Sequence, residues 1–524
     1  MNTNNKETSN LLVVETIKEM IDSTVRGLTY QLTGFVKDAF RTKEGLNIFT
    51  ITDGEIDFKL VKFIPGSIAF PDVKKDSYAT FQFKRTHYEG TLQGAIEKAW
   101  LAKGAEEAKA KDLIHNQLLE QFKPKSKPQL NSPNFVKMHD MLNIGAAVIR
   151  QAVLERRPIV VTHHGDADGY AAGILLEQAI RPMIDDVHPF LKYPSNYFMR
   201  NPSRTPWYDV IDATKDIGTF LMNAKRNDLP APLILIVDNG STKQDLLAIR
   251  KAKIFGADIM VVDHHDPGEK DEHGQTVICK ETIAHVNPHL VGIHDNMSAS
   301  MVCYELAHLI NEKVESDAFV AAVGGVTDRC EGAEIEELIN ITGESREYVR
   351  EVGLVVDYEI FQTKMNLQLG PIHTLLYGPK EERDALVALY RPIIAEAEQE
   401  LNLVIKKYVE QEQLGKYTVF RLDGDLTVMR GDYFSIGKLA ALIGNNFEEV
   451  KPRIIMTYTG SIIVFRAEQE TQLFDVNKLV KVLQESFPYA RVSGGGHAVA
   501  GSIKFLPAAK EDVFAKVKEY ISLL

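Results

Sequence analysis

Three short apolar runs constrain this 524-residue chain more than any other feature: Pro158 to Thr162 (PIVVT), Leu233 to Val237 (LILIV) and Ile259 to Val262 (IMVV). Runs this short, apolar throughout and rich in Val and Ile read as strands buried on both faces. Helical patterns lie between and around them, at Phe135 to Glu155, Gly169 to Ala179 and Lys243 to Lys253. Short apolar strands alternating with helices predict an α/β domain built on a doubly wound parallel sheet. Ligands of such sheets bind beyond the carboxyl ends of the strands. The residues directly after each run are therefore where chemistry is expected.

Those residues are His163-His164-Gly165-Asp166-Ala167-Asp168-Gly169 after the first run, Asp238-Asn239-Gly240 after the second and Asp263-His264-His265-Asp266 after the third. A fourth carboxylate, Asp328, follows the small-residue stretch Phe319 to Val326 (FVAAVGGV). Taken alone, Asp-Asn-Gly is an ordinary turn. Taken together, carboxylates and imidazoles at successive strand ends form a donor set suited to hard divalent cations. Carboxylate oxygens favour Mg²⁺ and Mn²⁺, and imidazole tilts the choice toward Mn²⁺.

Charge is distributed in the same sense. The chain carries −12 overall, yet residues 1–134 carry +2, residues 411–524 carry +1 and the middle carries −15. An acidic middle suits a domain that gathers carboxylates around cations. Cys279, Cys303 and Cys330 are scattered, which excludes a disulfide framework and fits a reducing compartment. The polar start, MNTNNKETSN, has no signal-peptide core, and no run is long and apolar enough for a membrane span. A cytoplasmic protein with no membrane partner is the expectation.

Before the α/β region, Gly27 to Val36, Leu46 to Asp53, Asp57 to Phe63 and Ser77 to Lys84 read as strands of a small barrel similar to an OB-fold. Phe49, Phe58, Phe81, Phe83 and Tyr88, with Lys59, Lys84 and Arg85, are candidates for stacking and pairing with single-stranded nucleic acid. Residues 92–121 read as helix. Phe122 to Pro133, with three prolines and three lysines, reads as a linker. The expected organisation is an OB-like domain with a helical extension over 1–121 and a linker over 122–134. A catalytic domain follows over 135–340, then a helical connector over 341–410 and a smaller α/β domain over 411–524.

HHGDADG, IVDNG, VVDHH and GGVTD, in that order, resemble the four motifs of DHH-superfamily phosphoesterases. Ser493-Gly494-Gly495-Gly496-His497 resembles the GGGH signature of the DHH-associated C-terminal domain, and Gly431 to Leu442 the segment preceding it. The combination, over about residues 135–524, is similar to the RecJ-like nuclease branch. The resemblance implies two metal ions. His164, Asp166 and Asp238 would ligate one. Asp168, Asp238, His264 and Asp328 would ligate the other, with Asp238 shared. It further implies that Asp263 orients His264, that His265 contacts the scissile phosphate, and that His497 with the amides of Gly494, Gly495 and Gly496 clamps a phosphate. His163 and Arg329 receive no role from it. Asn287-Pro288-His289, Ser298, Ser300, Arg430 and Lys438 are further phosphate-binding candidates.

The implied activity is a metal-dependent exonuclease that releases mononucleotides from single-stranded DNA or RNA. Replication or repair proteins are candidate partners. Two alternatives remain open at this point: a phosphodiesterase for cyclic dinucleotides or very short oligonucleotides, and a replication-complex scaffold with residual activity. No GxSxG elbow and no P-loop pattern occurs near these motifs, so neither a serine nucleophile nor a nucleoside-triphosphate loop competes with this reading.

Overall fold

The computed structural model describes residues 11–524, apart from 26, 66, 125, 190, 192–193, 204, 228, 295, 314–316, 364–369, 428–432 and 469–472. Arg430, and Gly431 at the head of the segment before GGGH, therefore lie outside the described residues. The chain separates into two compact units, one of residues 1–125 with 146–151, the other of 126–145 with 152–524.

The first unit is a barrel. Its strands are β1 (Leu11–Val13), β2 (Thr29–Arg41), β3 (Leu46–Thr52), β4 (Asp57–Phe63), β5 (Tyr78–Tyr88) and β6 (Thr91–Leu101). Hydrogen bonding runs β1-β2-β3-β4-β6-β5 and closes through β5 back onto β2. Five strands in that closed order make the Greek-key barrel of an OB-fold. Helix α1 (Ile17–Asp22) precedes β2, and α2 (Ala105–Phe122) follows β6. Residues 91–101, read from sequence as helix, form β6. The stretch is poor in apolar periodicity, but Gly94 and Ile96 face inward, and closing the barrel settles the conformation. Gly94 fits only because it has no side chain: a Cβ there would stand 2.3 Å from Leu60.

A further correction concerns the aromatics. Phe49, Phe58, Phe81 and Phe83 are buried in the barrel core with Tyr30, Leu32 and Ile51 and are not available to bases. Of the rings proposed from sequence, only Tyr88 is exposed.

The second unit opens with α3 (Pro133–Leu154). Its first sheet comprises β7 (Ile159–His163), β8 (Phe198–Pro202), β9 (Leu233–Val237), β10 (Asp258–Val262) and β11 (Ala284–Val286). All five strands are parallel, in the order β11-β10-β9-β7-β8. The chain leaves β7 outward to β8 and returns to β9 on the other side. The switch point lies between β7 and β9, where an open sheet parts to admit a ligand. β7 and β9 are buried along their whole length, as their apolar sequences require.

The helices of this sheet are α4 (Ala167–Val187), α5 (Val210–Asn227), α6 (Leu246–Ile254), α7 (Ala299–Ile310), α8 (Ala318–Thr327) and α9 (Ala333–Thr342). Helices α10 (Arg346–Thr363), α11 (Gly370–Tyr377) and α12 (Lys380–Tyr408) follow. The segment 126–134 is strapped to this unit by glutamates. Glu305 accepts from the amides of Gln129 and Leu130, both at 2.7 Å, Glu312 from Ser126 and Glu337 from Asn131.

The chain ends in a six-stranded sheet of β12 (Glu410–Leu414), β13 (Tyr417–Asp423), β14 (Arg453–Tyr458), β15 (Ile462–Glu468), β16 (Ser493–His497) and β17 (Ala500–Lys504). Its order is β12-β13-β14-β15-β17-β16, so the glycine-rich strand β16 is an edge. Helices α13 (Gly424–Thr427), α14 (Ile436–Asn446), α15 (Val476–Ser486) and α16 (Lys510–Ser522) pack with it. No described helix is long and apolar enough to cross a membrane.

Candidate metal centre

The site is built at the carboxyl ends of β7, β9 and β10, with the C-terminus of α8 opposite. After β7 the chain turns so tightly that Gly169 lies against the backbone of His164, where a Cβ would stand 2.3 Å from the carbonyl oxygen. The turn starts α4. Asp166 caps the helix by accepting from the Gly169 amide at 3.0 Å, and its other oxygen lies 2.9 Å from His164 Nδ1. After β9, Asp238 adopts φ +57°, a left-handed conformation uncommon for a residue with a side chain. The turn expected there exists, and it also carries the carboxylate inward. Asp238 is buried, with Oδ2 3.6 Å from His164 Nδ1 and Oδ1 3.2 Å from His264 Nε2. His264 Nδ1 in turn lies 3.7 Å from Asp328 Oδ2.

Three donor groups result, one of them Asp238 with Asp263, His264 and His265. His164, Asp166 and Asp238 bring one ligand atom each within 4.8 Å of one another, and so do Asp168, His264 and Asp328. Asp238 stands in contact with both. Asp168 is buried, and its two oxygens accept from the amides of Ala299 (2.8 Å) and Ser300 (3.0 Å) at the start of α7. Ser298, a phosphate-binding candidate from sequence, is the N-cap of that helix, and Ser300 Oγ lies against the Ala321 carbonyl. Both are fully buried structural groups.

Behind the donors stands Asp263, fully buried. Its Oδ1 accepts from His265 Nδ1 at 2.7 Å and from the His264 amide at 2.8 Å, and its Oδ2 from the Ser241 amide at 3.2 Å. The carboxylate thus fixes the His265 ring directly and also holds the His264 backbone. Asn287, buried, extends the support by donating to Ser241 Oγ (3.0 Å) and the His265 carbonyl (2.9 Å). His285 Nε2 lies 2.9 Å from the same Ser241 hydroxyl. Nothing in the sequence pattern singled out Ser241 or His285.

His163 takes no part in any donor group. It is fully buried, with Nδ1 2.7 Å from the His164 carbonyl and Nε2 3.3 Å from Arg200. Burial and the Arg200 charge hold it down to about 3, so it is neutral. Lys438 is also committed, pairing with Asp357 at 2.9 Å.

The electrostatics are those of an anionic hole. Burial raises Asp168, and the charges of Asp238 and Asp328 raise it further, up to about 7. Burial pulls His164 and His264 toward their neutral forms, but the surrounding carboxylates outweigh it and hold both imidazoles well above their ordinary value. Burial likewise opposes the charge of Asp263, yet His265 holds that carboxylate far below the usual range.

Two of the donors, His264 and Asp328, line a cleft of about 950 Å³. One wall carries His264, Asp328 and Arg329, the other Arg453, Arg466 and Ala500 of the C-terminal sheet. Arg466 was missed from sequence because a lone arginine in a strand gives no motif. Here it is half-buried on β15, and its buried Nε meets no hydrogen-bond partner. Across the second unit, Gln244 donates to the Gly494 carbonyl and Lys504 lies 4.5 Å from the Trp207 ring centre. Gly494 permits close pairing of β16 with β17, since a Cβ would meet the Ser502 carbonyl at 2.2 Å. The His497 side chain lies outside the described part of the structure.

Comparison with known proteins agrees with this geometry. The model of the DHH family, N-terminal domain, matches residues 158–325, the span that carries the three strand-end motifs and stops just short of Asp328. A solved structure described as a member of the s1p family of ribosomal proteins, PF0399 DHH domain, is 31% identical with a TM-score of 0.73. The match covers 80% of this chain and all of that one. The chain belongs to the DHH family. Another relative is the uncharacterized protein MJ1198 of Methanocaldococcus jannaschii, 32% identical over 514 residues; the match covers 91% of this chain and 66% of that protein's length. The crystal structure of RecJ with Mn²⁺ from Thermus thermophilus shares the fold at a TM-score of 0.51 and 16% identity. That likeness covers 77% of this chain and 57% of that one.

DHH proteins are metal-dependent hydrolases, and the donor set of this chain fits such a cation. Asp238 Oδ2, 3.6 Å from His164 Nδ1, is buried without a hydrogen-bond partner. Groups so placed are costly unless a cation or ligand satisfies them.

Proposed function

We propose that this DHH-family phosphoesterase is a metal-dependent phosphodiesterase that acts as an exonuclease on single-stranded DNA or RNA and releases mononucleotides. The observation that carries the reading is that Asp238 faces His164 of one donor group and His264 of the other, next to a cleft that His264 and Asp328 line together with arginines. His164, Asp166 and Asp238 would hold one divalent cation, and Asp168, Asp238, His264 and Asp328 a second, Mn²⁺ or Mg²⁺. Such a pair supplies Lewis-acid activation of water and neutralises charge that develops on phosphorus.

The remaining work falls to the polypeptide. Asp263, 2.7 Å from His265 Nδ1, fixes the imidazole that would contact a phosphate oxygen. Burial disfavours the imidazolium of His265, but the Asp263 charge outweighs it and raises the ring above its ordinary value. Arg329 and Arg466 line the cleft where further phosphates of a polymer would run. In β16 the glycines let a backbone approach an anion closely, and His497 belongs to the same clamp.

The test uses single-stranded DNA and RNA oligonucleotides labelled at either end, incubated with Mn²⁺, Mg²⁺ or EDTA. An Asp166→Ala, Asp168→Ala double variant serves as control. Metal-dependent mononucleotide release that vanishes in the variant supports the proposal. Intact polymers under every condition reject it.

A further inference from the structure

The edge strand β11 brings a further row of polar groups up behind the site. His285 and Asn287 stand two positions apart at its end, so their side chains leave the chain on one side. Both reach the hydroxyl of Ser241, in the loop after β9. Asn287 Nδ2 donates to Ser241 Oγ at 3.0 Å, and His285 Nε2 lies 2.9 Å from the same oxygen. The Ser241 amide donates to Asp263 Oδ2 at 3.2 Å. On the far side of the ring, His285 Nδ1 lies 3.4 Å from Cys279 Sγ. A line of contacts thus runs from Cys279 through His285 and Ser241 to Asp263, and on to His265 Nδ1 at 2.7 Å. Among the described residues, no group of metal donors includes Cys279, His285 or Ser241.

The protons along this line follow from what each group can give and accept. Burial holds His285 down to about 4, so near neutral pH its ring carries a single N–H. Asn287 Oδ1 accepts from the His289 amide at 2.9 Å, which turns the NH₂ of that side chain toward Ser241. Ser241 Oγ therefore accepts from Asn287 and keeps one proton to donate. Asp263 only accepts, and against the cost of burial it is held ionised by His265 and His264 and by the Ser241 side chain. At the other end, Cys279 Sγ accepts from the buried Thr276 hydroxyl at 3.3 Å. The thiol proton is left for His285 Nδ1.

We propose that His285 is a positioning residue: it donates from Nε2 to Ser241, aims the Ser241 proton at Asp263, and so keeps that carboxylate in line with His265. In the opposite tautomer Ser241 would spend its proton on His285 and turn a lone pair toward a buried carboxylate. Nδ1–H would then face a sulfur that already accepts from Thr276. The inference rests on the proposed function only in that His265 is the ring assigned to the scissile phosphate.

The first test needs no variant. The full-length chain is labelled with ¹⁵N in histidine and kept in EDTA, and long-range ¹H–¹⁵N spectra near neutral pH read which nitrogen of each ring is protonated. His285, assigned as the signal lost in His285→Leu, should carry its proton on Nε2; a proton on Nδ1 overturns the proposal. His285→Leu should also shift the His265 signal and lower kcat for a dinucleotide with Mn²⁺ about tenfold, with KM little changed. His285→Gln, whose amide can still donate toward Ser241, should restore both the signal and kcat. A ring that merely fills space predicts the reverse, with lower melting midpoints in both variants and neither the His265 signal nor kcat moved; that result sinks the role. If the wild-type chain hydrolyses nothing, the proposed function fails by itself, and the proton on His285 and the His265 signal still decide this inference.

Discussion

Asp238 Oδ1 lies 3.2 Å from His264 Nε2, while Oδ2 of the same carboxylate faces His164 Nδ1 at 3.6 Å. One side chain therefore faces a histidine of each donor group. That relationship makes Asp238 the residue whose charge matters most.

Asp238→Asn keeps the shape of the side chain and removes its shared charge. Hydrolysis should fall by more than about a hundredfold, exceeding the loss usual for groups one step behind a metal ligand. Without divalent cations the variant should melt no lower than wild type, because repulsion with Asp168 and Asp328 is relieved. Single-turnover rates and calorimetry in EDTA check both halves.

Divalent cations should stabilise the folded chain independently of any substrate. At a concentration a hundred times the dissociation constant, the gain is about 2.7 kcal/mol. Differential scanning calorimetry should show the midpoint rising with Mn²⁺ in wild type and not in the Asp166→Ala, Asp168→Ala variant. Equal shifts in both would place the cation elsewhere.

His163 sets a limit on the acid side. Burial and Arg200 depress it from 6.5 to about 3 in the folded chain. A depressed group contributes stability that is fully present above its unfolded value and lost as pH falls toward the folded one. The window is therefore pH 6.5 down to 3, with an upper bound of about 5 kcal/mol. Asn at 163 retains a donor toward the His164 carbonyl and does not titrate. Urea midpoints between pH 7 and 4 should fall more steeply in wild type than in His163→Asn.

Two glycines should respond with opposite signs. Gly494→Ala drives a Cβ to 2.2 Å from the Ser502 carbonyl and should loosen the β16–β17 pairing and weaken oligonucleotide binding. Gly437, in α14, has only Ser435 Oγ near, at 3.8 Å, so Gly437→Ala should stabilise by up to about 1 kcal/mol through helix propensity. Hydrogen exchange in β16 and thermal melts distinguish the pair.

The parallel sheet was legible because Val, Ile and Leu fill strands buried on both faces, and the donors because the sheet rule places ligands after such strands. Three things were not. Residues 91–101 look helical locally, and only closure of the barrel makes them a strand. Phe49, Phe58, Phe81 and Phe83 resemble a stacking platform until the alternation of faces, fixed by pairing register, turns them inward. Ser241 and His285 lie 44 residues apart and meet only because β10 places β11 beside the strand-end loops.

The start of α7 has a consequence for selectivity among ions. Both oxygens of Asp168 are held by the amides of Ala299 and Ser300, so the carboxylate cannot swing or open to grip a cation with two oxygens at once. Ca²⁺ takes six to eight loosely disposed oxygens, whereas smaller ions accept about six in a stiffer arrangement. Were Asp168 a ligand as proposed, a carboxylate pinned by a helix end would act as a size gauge, favouring Mg²⁺ or Mn²⁺ over calcium.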